Sequence, residues 1–482
     1  MPGDLPPEEI RQALHRAADR IADYLENVGS GPVVPPTRPG DVARQLPSAP
    51  PDRPERMDAI LDDYERLIEP NVTHWNHPGF LAYFGITGSG PGIVGEALAA
   101  ALNNNAMLWR TGPAPTELEG RVCDWLRQMI DLPEEFRGHI NDTASTSSLV
   151  ALAAARHRLP GVDIRVRGLA GRADLPPLVV YASDQAHSSI DKSCIVLGLG
   201  QENVRRVESD GEFRMSLSAL TEAVAADRAA GRLPMAVVAT VGTTSTTSID
   251  PVPGIADLCA REGIWLHVDA AYAGSAAICP ELRALMPGIE RADSLVLNPH
   301  KWLFTPVDCS VLYVRDQALL RDAFSLIPEY LRTDEAGVTN LMDLGFQLGR
   351  RFRSLKLWMV IRAYGVEGLR ERIREHCALA RDLATRIAAE PGFELSAPVP
   401  FSTVCFRALP AESDDPAAAD RFNDRLLARV NAIGPFFLSP TVLHGRITLR
   451  VAIGNIRTGG RHIDALWDLL REHALVLRKE DE

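Results

Sequence analysis

Four apolar runs constrain this chain more than any other feature: "PLVVYAS" (177–183), "AVVATVGTT" (236–244), "IWLHVDAA" (264–271) and "SLVLNPH" (294–300). Each is apolar on both faces of an extended strand, and helical stretches such as Leu217–Ala230 separate them. Strands that bury both faces belong inside a mostly parallel sheet covered by helices, so the runs predict a large α/β domain over residues 90–360. At 482 residues, with 46% hydrophobic and 24% charged content, the chain can fill that core and still supply further domains.

Ahead of the sheet, Ile10, Leu14, Ala17, Ile21 and Leu25 recur at helical spacing and predict an amphipathic helix over 7–27. Residues 31–54 carry eight prolines, which predicts an extended wrapping segment rather than regular helix. A helical pattern resumes near Met57–Ile68. This helical arm, residues 1–89, has too little core to stand alone and is expected to pack on a partner surface, a second subunit being one candidate. Beyond residue 360 come longer helices and short strands ("STVCFRAL", "GRITLRVAIG"), an α+β C-terminal domain over 361–482.

A formal charge of −12 argues against nucleic acid as a partner. The short basic cluster "GRRFRSLKLW" (349–358) is interleaved with apolar residues and does not alter that expectation. The seven cysteines are scattered without a CxxC pair, so neither a disulfide framework nor a metal site is expected. The start of the chain lacks a basic-then-apolar signal pattern. No apolar run reaches the roughly 20 residues that span a bilayer. A cytoplasmic protein without membrane attachment is the expectation.

In open α/β sheets, ligands gather at the carboxyl ends of strands. Asp269 and Lys301 both follow apolar runs and can converge on one crevice. A desolvated lysine forms imines with aldehydes, and an aspartate can hold a protonated ring nitrogen. These are the two anchors of a pyridoxal phosphate site, although a structural Lys–Asp ion pair fits the same two residues. "INDTASTSSLVALAAAR" (140–156) sets small hydroxyl residues ahead of a long helix, which reads as an anion seat or as a plain N-cap. His187 in "SDQAHSSIDKS" (183–193) is placed to stack on a ring or to serve as an ordinary structural histidine. "GTTSTTSIDP" (242–251) adds hydroxyls at a third strand end.

In this order, "ASDQAHSS", "HVDAAYAGS", "NPHKW" and "GRRFRSLKLW" resemble the group II pyridoxal-phosphate decarboxylases, in particular the aromatic L-amino acid decarboxylases. The resemblance runs from "THWNHPGFLAYF" (73–84) to "LRVAIGNIRT" (449–458). It implies an aminotransferase-like, fold type I architecture and pyridoxal 5′-phosphate as cofactor. It also implies aromatic L-amino acids as substrates, arylalkylamines and CO2 as products, and a homodimer whose N-terminal arms embrace. Lys301 would form the imine with the cofactor, and Asp269 would pair with its ring nitrogen. His187 would lie on one ring face and Ala271 on the other, with Thr244 near the ring. Ala144, Ser145, Asn298 and His300 would surround the phosphate. Trp75, Phe84 and Trp109 are candidates for the substrate's aromatic pocket, with the polar "NNNAM" (103–107) close by.

The loop "EAGVTNLMDLGFQLGRRF" (335–352) departs from the family pattern. Leu341 stands where the family usually has a tyrosine that protonates the substrate carbon, and aldehyde-forming relatives have phenylalanine. Leucine has no proton to give. His187 or Tyr330 would then be the donor, or the chain would be an aromatic aldehyde synthase that couples decarboxylation to oxidative deamination. A non-catalytic, cofactor-binding regulator is a further alternative. Thr146 is a second departure, at a position often acidic in the family.

Overall fold

The computed structural model describes residues 3–326, 337–410 and 415–481. Within it the chain divides into two units, Met1–Ala82 with Ala408–Leu449 and Arg457–Glu482, and Tyr83–Arg407 with Arg450–Ile456. The expected helix over 7–27 is α1 (Pro7–Asn27), opened by proline at its first position and by Glu8 and Glu9 in its first turn. No residue of α1 is buried, and Leu14 and Ile21 on its apolar stripe stay exposed. The proline-rich segment holds one short helix, α2 (Asp41–Gln45), contrary to the expectation of none. It sits in the stretch free of proline between Pro39 and Pro47. α3 (Met57–Asp63) follows, and Arg16 of α1 reaches across to Asp62 (2.6 Å) and Glu65 (2.7 Å).

The larger unit contains a seven-stranded sheet in the order β1-β7-β6-β5-β4-β2-β3. Its strands are β1 (Arg137–Asn141), β2 (Leu178–Ser183), β3 (Val204–Val207), β4 (Leu233–Thr240), β5 (Trp265–Asp269), β6 (Ser294–Leu297) and β7 (Ser310–Val314). β3, β2, β4, β5 and β6 run parallel, and only β7 is antiparallel to its neighbours β6 and β1. This is the mostly parallel sheet that the apolar runs predict.

The pleat explains why these runs lack a polar face. Val179, Tyr181, Val237, Ala239, Leu266 and Val268 bury against helices contributed by Leu220, Val224, Ile255 and Leu258. Val180, Ala182, Ala236 and Val238 turn to the opposite face, against Val150, Ala151, Ala154 and Ala155. Each fully buried valine or leucine contributes roughly 1.5–3 kcal/mol relative to exposure, so a one-residue slip in register would be costly. Three helices of the larger unit bear on the argument: α4 (Gly90–Leu102), α5 (Pro113–Met129) and α6 (Ala144–Arg158).

The unit boundaries differ from the expected ones. The first falls after Ala82 rather than residue 89. Residues 361–407, expected in the C-terminal domain, belong to the larger unit. The cause is the helical stretch Ser354–Ala389, two helices meeting at a kink at Gly365, whose Leu357, Val360, Leu369 and Ile373 join the core beneath the sheet.

Candidate active site

Parallel pairing brings the last residues of β2, β4 and β5 to one edge of the sheet. Thr240 ends β4 and is in register with Asp269, which ends β5. The chain beyond each strand turns over this edge and encloses a cavity of about 210 Å3. Ala144, Ser145, His187, Thr244, Asp269, Ala271, Asn298, His300 and Lys301 line it, together with Phe84. The sheet therefore assembles every residue that the sequence assigns to a cofactor.

Lys301 projects from the short turn Pro299–Trp302, held down by the fully buried Trp302, Leu303 and Phe304. Among the described residues no carboxylate pairs with it within 4.0 Å, so the structural ion pair does not form. Burial lowers the Lys301 pKa; Asp269 opposes that shift and Arg450 adds to it. Asp269 accepts the backbone N–H of Ala271 at 3.1 Å, which fixes the carboxylate at the cavity wall.

The two histidines are set in defined tautomers. His300 Nδ1 accepts the backbone N–H of Cys309 at 2.9 Å, leaving the ring proton on Nε2. Burial, reinforced by the charge on Lys301, pushes His300 down to about 3, so the ring is a neutral donor at ordinary pH. His187 Nδ1 likewise accepts the Ser189 N–H at 3.1 Å. Gly242 also forms part of the wall; its φ is 89°, and a Cβ there would lie 2.6 Å from that of Ala273.

Three candidates lie elsewhere. Trp75 is in the smaller unit, stacked on Phe80 with ring centroids 4.3 Å apart. Trp109 and Leu341 line a different cavity of about 300 Å3. The Trp109 indole N–H donates at 2.7 Å to Glu117, which lines the same second cavity. Leu341 begins the turn Leu341–Leu344 and is buried with Leu344 and Val150, where an apolar side chain is better placed than at a polar cavity wall. Tyr330 lies outside the described residues. Thr146 falls in the first turn of α6 and does not line the cavity. Sequence reasoning missed Thr143, Ser189, Thr240, Gly242 and Tyr272, all of which do. Thr240 was within reach of the strand-end rule.

Residues 39–409 match the model of the pyridoxal-dependent decarboxylase conserved domain. The chain belongs to that family. This decarboxylase is 42% identical over 478 residues to tryptophan decarboxylase 2 of Oryza sativa subsp. japonica, covering 97% of the chain and 95% of that relative. It is also 42% identical over 482 residues to phenylacetaldehyde synthase of Arabidopsis thaliana, covering 98% and 96%. The crystal structure of Oryza sativa TDC with PLP and tryptamine superposes with a TM-score of 0.95 at 39% identity, covering 99% of this chain and 100% of that one.

Pyridoxal 5′-phosphate is thus the cofactor of this decarboxylase, and the cavity fits it. Asn298 Oδ1 and Thr240 Oγ1 are buried in the cavity wall without a hydrogen-bond partner among the described residues. Ala144 and Ser145 in the first turn of α6 line the same cavity, and its N-cap Thr143 makes no side-chain capping bond. Such a helix start suits a phosphate.

Proposed function

We propose that the chain removes the α-carboxylate of aromatic L-amino acids, releasing CO2 and the corresponding arylalkylamine. The carrying observation is a desolvated Lys301 in one small cavity with Asp269, neither tied up by an ion pair to the other. Bound pyridoxal 5′-phosphate supplies an aldehyde that joins amines and a protonated ring that draws electrons from the bond to the departing carboxylate. Lys301 would hold that aldehyde through its Nζ, and its burial favours the uncharged amine that such a bond requires. Asp269 would hold the proton on the ring nitrogen, with His187, Ala271 and Thr244 lining the space that the ring would fill. Ala144, Ser145, Asn298 and His300 would hold the phosphate, the last through its Nε2 proton. Phe84 offers an apolar wall to the substrate ring. His187, with its proton on Nε2, is the described residue suited to protonate the substrate carbon.

The working form is proposed to be a cytoplasmic homodimer. Val94, Leu98 and Leu102 make an exposed apolar stripe along α4, and α1 buries none of its residues. Both features suit a second copy. Among the described residues no helix is long and apolar enough to cross a membrane.

A second reading, an aromatic aldehyde synthase, draws on the leucine at 341 and on the similarity to phenylacetaldehyde synthase. One assay separates the readings. The purified holoprotein is given L-tryptophan, L-tyrosine and L-phenylalanine in turn, with amine, aldehyde, peroxide and CO2 measured in air and without oxygen. Amine equal to CO2 under both conditions supports the decarboxylase. Aldehyde with peroxide that vanishes without oxygen supports the synthase. Bound cofactor with no CO2 from any substrate would leave a non-catalytic regulator.

A further inference from the structure

Behind the Phe84 wall stands Arg450, a guanidinium only 3% exposed and lacking any carboxylate partner among the described residues. Its Nε donates to Ser245 O at 3.0 Å and its Nη1 to Tyr83 O, whereas Nη2 is buried with no hydrogen-bond partner among the described residues. The two carbonyls belong to the segments that carry Thr244 and Phe84 into the cavity wall. Tyr83 has a φ of 52°, a conformation a tyrosine rarely adopts unless its surroundings hold it there. Arg450 Cζ lies 4.6 Å from the centroid of the Phe84 ring, and Lys301 Nζ lies 5.3 Å from the same centroid. A buried cation without a carboxylate partner is expensive, and a role in tying two carbonyls together does not need a full charge.

We propose that Arg450 is a positioning residue for Lys301: it clamps the Tyr83–Phe84 and Thr244–Ser245 segments and sets a fixed positive charge against the same Phe84 ring that the Lys301 nitrogen approaches. The charged or titratable groups around Lys301 are Asp269 on β5, Arg450, His187 and the adjacent His300. Both histidines are held below their ordinary range by burial, so near neutral pH the balance lies between Asp269 and Arg450. Desolvation already lowers the Lys301 pKa, and Arg450 acts in the same direction. Removing a like charge should raise it again.

The inference rests on the assignment of the cofactor to Lys301. The test uses holoprotein and follows the visible absorbance of the bound cofactor against pH, which reports the proton on the Lys301 nitrogen in its bond to the cofactor and feels a nearby like charge in the same direction as the free amine does. Arg450→Met removes the charge, Arg450→Gln removes it while keeping two donors for the carbonyls, and Arg450→Lys keeps it. The neutral variants should move the midpoint upward by about one unit, as loss of a nearby like charge does, and Arg450→Lys should stay near wild type. Stripped neutral variants should also reload with pyridoxal 5′-phosphate more slowly at pH 7. An unmoved midpoint in a folded neutral variant overturns the proposal, as does an equal shift in Arg450→Lys. If only Arg450→Lys folds, the charge serves the fold and the proposal also falls. A wild-type protein with no cofactor absorbance would instead sink the assignment of Lys301 itself.

Discussion

Lys301 feels two opposing influences: burial, with Arg450, favours a free amine, and Asp269 favours an ammonium. Asp269 is the more exacting of the two for turnover, because a neutral ring accepts electrons poorly. Asp269→Asn keeps the shape and the bond from the Ala271 N–H but removes the charge. The variant should retain cofactor and lose at least about 100-fold in kcat, roughly 2.7 kcal/mol at the transition state. Turnover within a few fold of wild type would take Asp269 out of its assigned role.

The start of α6 is where one element does what single residues cannot, since its first backbone N–H groups have no acceptor within the helix. Ser145→Asp sets a carboxylate against the proposed phosphate seat. It should weaken pyridoxal 5′-phosphate at least about tenfold, the scale of one charge at a helix start in a buried setting, and leave pyridoxal without its phosphate little affected. Equal weakening of both ligands, measured by titration, would remove the phosphate from this end of the cavity. The strand-end residues were legible in the sequence because an apolar run fixes both the strand and the point where it stops. Asp269 and His187 follow from that rule. Trp109 and Leu341 were not legible in the same way: their directions depend on Glu117 and on the buried neighbours of Leu344. Arg450 escaped notice because an arginine within the strand "GRITLRVAIG" looks like any solvated one. Its burial behind Phe84 comes only from tertiary packing.

At the scale of the whole molecule, the exposed stripe on α4 is surface that a monomer has no reason to keep apolar. Leu98→Glu should leave the fold intact, since Leu98 is 47% exposed in the single chain. It should also shift sedimentation from a dimer toward a monomer. A variant that sediments as the wild type does would place the interface elsewhere. The expectations for the site depend on one proposed covalent link, that of the cofactor to Lys301. The direct measurement is borohydride reduction of the holoprotein, followed by digestion and mass spectrometry of the lysine-bearing peptides. The expected result is a single pyridoxyl-phosphate adduct on the peptide holding Asn298–Trp302, absent in Lys301→Ala. An adduct on another lysine, or one that persists in Lys301→Ala, would contradict the account.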